Sequence, residues 1–375
     1  MHLPRTAAAA TTALIIIILT AAVDILVITA SPNQQLPNFT AVIIFGDSTV
    51  DTGNNNYLPD AVFRADHRPY GENFPTGQPT GRFSDGKLLP DFFASILGIK
   101  QLVPPFLHPN LSDSDIRTGV SFASAGTGYD DLTATIAQAI SMDEQVEMFE
   151  EYVARLRRVV GDDAAKETVH GALVAVSAGA NDFVDNYYDL MTRRLEFDLS
   201  GYQDFLLSKV QNLVKVRIYN MGGRTIVVGG LPPIGCLPIQ MTVKLKNPFD
   251  RRCVETQNQG SQSYNAKLKK LLAKLQSSLA GSTVTYSNVY DPLLDMITHP
   301  SKYGFVETKQ GCCGSGLVEM AALCNEESPT CGKEMASNYV FWDSVHPTST
   351  AYQILATNLS QQLASALSSA SPPSS

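Results

Sequence analysis

From Thr40 onward the chain alternates short apolar runs with long amphipathic stretches. The runs "AVIIF" (41–45), "ALVAVS" (172–177), "TIVVGG" (225–230) and "TVTYSNV" (283–289) hold few polar positions, as strands buried on both faces do. Between them apolar residues recur at helical spacing. "SMDEQVEMFEEYVARLRRVVG" opens with Ser141 and Glu144 at capping-box spacing and closes on Gly161. "YQDFLLSKVQNLVKVRIYNMGG" ends on a glycine pair suited to a left-handed C-cap, and "SYNAKLKKLLAKLQSSLAG" ends the same way before Gly281. "TSTAYQILATNLSQQLASAL" predicts the last helix. Strands separated by helices in this order predict an α/β fold with a mostly parallel sheet covered on both faces. No Pro- or Gly-rich linker and no repeat divides the chain, so residues 40–367 read as one domain. The segment "PYGENFPTGQPTGRFSDG" (69–86) reads as a long polar loop, and "SSASPPSS" (368–375) has the composition of a disordered tail.

The first 30 residues read as a targeting segment: Arg5 is the positive charge, "ALIIIILTAAV" (13–23) the apolar core, and cleavage falls after Ala22 or Ala30. A membrane anchor is the competing reading. Asp24 interrupts the apolar run at about 17 uncharged residues, short of the roughly 20 that a spanning helix needs. Secretion fits two further features. Sequons at Asn38, Asn110 and Asn358 are candidate glycosylation sites. The six cysteines, Cys236, Cys253, Cys312, Cys313, Cys324 and Cys331, lie in the C-terminal part and are disulfide candidates in an oxidising compartment. Cys236 with Cys253, and the other four among themselves, is the expected grouping. No separated C-x-x-C or His pair offers a zinc site, and neither metal nor cofactor is expected. A net charge of -8 argues against a nucleic-acid partner.

Chemistry concentrates where the apolar runs end, which in open parallel sheets is where ligands bind. "FGDSTVDTGNN" (45–55) follows the first strand and places Ser48 behind Gly46, although it is not a G-x-S-x-G elbow. Serine needs a base. His2 belongs to the targeting segment, His67, His108 and His170 lack a persuasive partner, and His299 has Asp295 one turn back as a surface pair. His346 differs. In "YVFWDSVHPTSTAYQ" it follows an apolar, strand-like run expected to end at the same edge of the sheet as the Ser48 strand, with Asp343 three residues before it and Pro347 opening the next helix. That spacing lets the carboxylate accept from Nδ1 and leaves Nε2 to take a proton from serine. "SAGAND" (177–182) follows another strand and offers the Asn181 amide to a developing oxyanion, as do the backbone N–H groups of Ser48 and of Gly126 in "SFASAGTGYDD". Gly126, Gly128 and Asp131 imitate part of a dinucleotide fingerprint, but an aspartate in the third glycine's place would face the pyrophosphate.

Six ordered blocks resemble the GDSL esterases/lipases of the SGNH hydrolase group, in their secreted plant branch. They are "FGDSTVDTGNNN" (45–56), "GRFSDGKLLPDFFA" (81–94), "GVSFASAGTGYDD" (119–131), "VSAGANDF" (176–183), "GLPPIGCLP" (230–238) and "FWDSVHPT" (341–348). The resemblance implies a flavodoxin-like, three-layer α/β/α fold and a catalytic Ser48, Asp343 and His346. It also implies an oxyanion hole from Ser48, Gly126 and Asn181. Family members often carry asparagine at the place of Ser121 and a glycine pair at Ala125 and Gly126, which leaves Gly128 as an alternative donor. The implied activity is hydrolysis of carboxylic esters through an acyl-enzyme, on a lipid, cutin-type or cell-wall ester, outside the cell. Alternatives are an acyltransferase using the same triad and a secreted binding protein without catalysis. Asp47, Asp51, Asn54 and Asn55 are expected to brace the serine loop.

Overall fold

The computed structural model describes residues 36–244 and 251–370. The targeting segment and both cleavage points lie outside the described residues. Four strands, β1 (Val42–Gly46), β2 (Leu173–Ser177), β3 (Thr225–Gly229) and β4 (Thr283–Ser287), form a parallel sheet in the order β1-β2-β3-β4. Val42 pairs with Leu173, Leu173 with Thr225 and Thr225 with Thr283, so the strands start level and end in one row. The backbone near Ser121 widens the sheet beyond β1: Ile44 N–H donates to Val120 O, and Phe122 N–H and Ser124 N–H donate to Ile44 O and Gly46 O. β2, β3 and β4 fall within the apolar runs read from the sequence, and β1 extends one residue beyond its run, to Gly46.

One face of the sheet, carrying Phe45, Val174, Val176, Ile226 and Val228, is fully buried in the main hydrophobic cluster with helices Met142–Val160, Leu199–Asn212 and Glu255–Ser278. Helix Leu89–Ile96 packs on β1, helix Ser349–Ala370 packs on β4, and these two touch each other across the opposite face. The result is a three-layer α/β/α arrangement. Ser141 and Glu144 form the expected capping box, and Gly161 ends that helix. Helix Glu255–Ser278 starts eight residues earlier than its apolar period indicates. Its polar first turns are buried through side-chain bonds: Gln257 donates to Gln240, and Asn258 Oδ1 accepts from Gly235 N–H.

The run leading to His346 departs from expectation. β6 (Tyr339–Phe341) is not part of the main sheet but pairs in parallel with β5 (Glu307–Gly311) in a separate two-stranded sheet. The same pairing runs on past β5, since Cys312 N–H and Cys313 N–H donate to Phe341 O and Trp342 O. Pro347 does not open the last helix either. It bridges back to Phe341, and Thr348 Oγ1 accepts from Ala351 N–H ahead of the first helical residue, Ser349. The cysteines form the disulfides Cys236–Cys253, Cys312–Cys331 and Cys313–Cys324.

Candidate active site

Ser48 sits two residues past β1, and the turn that carries it depends on Gly46. Gly46 has φ +145°, and a Cβ there would lie 2.0 Å from Ser177 O in the neighbouring strand. Only glycine lets β1 turn away that close to β2. Gln145 fixes the same turn from the buried face, accepting from Gly46 N–H at 2.8 Å and donating to Gly46 O at 2.9 Å. Asp47 then accepts from Thr49 N–H and Thr49 Oγ1. Burial pushes the Asp47 carboxyl above its ordinary range, against the opposing pull of Thr49 and of nearby His346.

The loop beyond Ser48 is braced by the polar residues that follow it. Asp51 accepts from the N–H groups of Gly53, Asn54 and Ala125, and burial still lifts its carboxyl to about 6. The Asn54 amide donates to Ser121 O and Ala123 O, and the Asn55 amide to Phe63 O and Ala125 O. These bonds tie the serine loop to segment 121–125, beside Gly126.

The structure brings Ser48, His346 and Asp343 into one hydrogen-bonded chain. Ser48 Oγ lies 2.8 Å from His346 Nε2, and His346 Nδ1 lies 2.8 Å and 3.0 Å from the two Asp343 carboxylate oxygens. His346 is 2% exposed and Asp343 fully buried. With a carboxylate at Nδ1, that nitrogen carries the proton and Nε2 is left to accept from the serine hydroxyl. Asp343 Oδ1 also accepts from the N–H groups of Val345 and His346, which folds the D-x-x-H segment into a tight turn. The ring of Phe83 packs 4.8 Å from the imidazole.

Tyr70 was not identifiable as a site residue from the sequence. Its hydroxyl donates to Asp343 Oδ2 at 2.8 Å and accepts from Ala321 N–H at 2.9 Å. Burial and the Asp343 charge push the phenol well up, so it stays a donor. Its loop also holds Phe74 and Phe83, so nothing local singled the tyrosine out.

Ser48, Gly126, Asn181 and His346 line one cavity of about 100 Å³, together with Phe63, Met320 and Asp185. Among the described residues nothing accepts from the Ser48 or Gly126 N–H. One hydrogen of the Asn181 amide goes to Thr127 O at 3.0 Å, leaving the other available. Gly128 lies elsewhere: a Cβ there would meet Asp182 Oδ1 at 2.0 Å, so this glycine is the close approach of its loop to Asp182. Asp182 accepts from Tyr129 N–H, Asp130 N–H and the Thr133 hydroxyl, which holds the Gly126 loop against the Asn181 segment. Burial lifts Asp182 to about 7, and burial with neighbouring Asp189 lifts Asp185 to about 7. Among the described residues no cluster of His, Cys, Asp or Glu fits a metal ion.

Of the other described histidines, His67 packs edge-on against Tyr70, with ring centroids 5.5 Å apart. His299 Nδ1 meets Asp295 at 2.9 Å on the surface, as the helical spacing implied. Of the sequons, Asn38 and Asn110 are exposed, whereas Asn358 is half-buried within the last helix and its amide donates to Ile354 O.

A family model described as GDSL-like Lipase/Acylhydrolase matches residues 42–359. A GDSL esterase/lipase of Arabidopsis thaliana is 54% identical over 324 residues, covering 86% of this chain and 89% of its own. A second from that plant is 53% identical, covering 87% and 89%, and a third is 52% identical, covering 89% and 92%. A solved acetylxylan esterase mutant from Geobacillus stearothermophilus aligns with 88% of this chain and 95% of its own at 16% identity and a TM-score of 0.36, too distant to build on.

Proposed function

The chain belongs to the GDSL-like lipase/acylhydrolase family and is a hydrolase of ester bonds; from that premise we propose that Ser48, His346 and Asp343 carry the reaction through an acyl-enzyme. The observation that carries this reading is the unbroken chain from Ser48 Oγ through the imidazole to a buried carboxylate, at a cavity shared with three candidate oxyanion donors. Ser48 Oγ attacks the ester carbonyl as His346 Nε2 takes its proton. Collapse breaks the ester C–O bond, and His346 returns the proton to the departing alcohol. Water then adds to the acyl carbon, losing a proton to His346, and the acid leaves as the Ser48 Oγ–C bond breaks and His346 returns that proton to Ser48 Oγ. Asp343 orients the ring and stabilises its cation without taking the proton. The N–H groups of Ser48 and Gly126 and the Asn181 amide bind the oxyanion, each donor contributing about 3–4 kcal/mol at the transition state.

The protein acts outside the cell, in the wall space. The targeting segment, the three disulfides and the exposed sequons at Asn38 and Asn110 support this. Among the described residues no helix is long and apolar enough to cross a membrane.

The test is Ser48→Ala, measured on short-chain esters and with a fluorophosphonate probe. Turnover is expected to fall on the order of 10⁶-fold and labelling to disappear. A folded Ser48→Ala protein that keeps wild-type turnover overturns the assignment.

A further inference from the structure

The central strands of a parallel sheet are ordinarily covered on both faces. Here Ala175 of β2 and Val227 of β3 are only half-buried although two helices roof them. The reason is an apolar cavity of about 60 Å³ between sheet and roof, lined by Val42, Ile44, Ala175 and Val227 from the strands and by Phe93 and Leu363 from the helices. At the end of the strands it meets a second cavity of about 70 Å³, with Leu89, Ser177 and Val289 lining both. That second cavity reaches Ser48 and is walled by Leu237, Leu293 and Leu355. The two cavities therefore adjoin, one beside the serine and the other under the sheet.

The site thus has two arms. His346 lines the arm toward Phe63, Phe83 and Met320 and does not line the other. The departing alcohol must lie against the imidazole that protonates it, so it occupies the His346 arm. The acyl chain is left with the arm that runs beneath the strands. We propose, building on the acyl-enzyme reading, that this under-sheet cavity is the acyl-chain site and that the substrates are esters of unbranched fatty acids of about ten carbons. From Ser177 back to Leu173 the cavity follows four residues of strand, roughly 13 Å. A staggered hydrocarbon chain with 1.5 Å bonds advances roughly 1.3 Å per carbon, so about ten carbons fill that length. Ala175 stands midway and sets how far the chain can enter.

The experiment measures kcat/KM on 4-nitrophenyl acetate, butyrate, octanoate and decanoate, below their aggregation concentrations. Wild type is expected to prefer decanoate over butyrate. Burial of one methylene is worth about four-fold, so Ala175→Leu, which fills the cavity by more than two methylenes' volume, is expected to lower the decanoate/butyrate ratio at least 10-fold with butyrate within two-fold of wild type. Val227→Ala, which widens the cavity, is expected to raise the decanoate/butyrate ratio. A folded Ala175→Leu protein with the wild-type ratio overturns the proposal, and if that variant does not fold, an unchanged chain-length profile in Val227→Ala does so. Ser48→Ala run on the same esters separates the two readings: its loss of turnover upholds the serine whatever the chain-length result.

Discussion

Replacing Tyr70 by phenylalanine removes one oxygen from a fully buried position and leaves the ring in place. Two bonds go with it: the donor to Asp343 Oδ2 and the acceptor for Ala321 N–H. A hydrogen bond to a charged group is worth about 1.5–3 kcal/mol, and a buried amide left without a partner costs about 1–3 kcal/mol. Because one hydroxyl serves both, the low end of the sum, about 2.5 kcal/mol, is the expected loss of stability. For a chain this long that lowers Tm by roughly 5 °C. Tyr70 lines neither arm of the cleft, so KM should hold. Asp343 keeps its backbone donors on Oδ1 but loses one of the two donors on Oδ2, which loosens the imidazole's orientation. A fall in kcat of about 10-fold is expected, far less than the about 10⁴-fold that follows loss of a triad carboxylate's function. Tyr264→Phe is the matched control. Its hydroxyl is equally buried and has no hydrogen-bond partner among the described residues, so its removal should leave both readouts unchanged or raise Tm. Calorimetry and steady-state kinetics on the pair decide the matter. A Tyr70→Phe protein with Tm within 1 °C of wild type and undiminished kcat refutes the reasoning.

Asn181→Ala should cut kcat about 100- to 1,000-fold with little change in KM, since one oxyanion donor is lost; full turnover would remove Asn181 from that role. Arg82 donates two bonds of 2.8 Å to the fully buried Asp91 and others to Thr52 O and Val103 O, so Arg82→Ala strands a buried carboxylate. A loss of about 3–5 kcal/mol in denaturant unfolding is expected, and a loss under 1 kcal/mol would show that the pair is dispensable. Asp182, lifted from 3.8 to about 7, holds its proton more tightly folded than unfolded. Its contribution is therefore full below about pH 4 and is lost as pH rises to about 7. Wild-type stability should fall across that window relative to Asp182→Asn, by on the order of a few kcal/mol. The hydrogen bonds lost in the variant shift its curve by a constant and leave the slope to report the titration. Parallel curves would contradict the raised value.

β1, β2 and β3 were legible as short apolar runs, as strands covered on both faces are, whereas β4 alternates threonine and serine with apolar residues and is only partly buried. Capped helices were legible for a similarly local reason: Ser141 and Glu144 satisfy each other within one turn. What local patterns could not give was anything resting on distant partners. Tyr70 acquires its meaning from a residue 273 positions away, and Gln145 from one 99 positions away. The assignment of β6 to the main sheet went astray for the same reason. Three apolar residues identify a strand but not its neighbour, and its neighbour is the polar run Glu307–Gly311. The void beneath β2 and β3 left no trace in the sequence, because Ala175 and Val227 are ordinary strand residues whether or not a helix covers them.

Placing His346 in a turn behind a separate small sheet has a consequence for when the enzyme can act. Everything that shapes and carries Ser48, from β1 through β4, is complete by Ser287, whereas the base arrives at position 346 of 375. Its turn is set by Asp343 and by the backbone of Cys312 and Cys313, each tied to a partner that also follows Ser287. A chain ending before Asp343 therefore carries the nucleophile without its base, and lacks the last helix that covers the sheet as well.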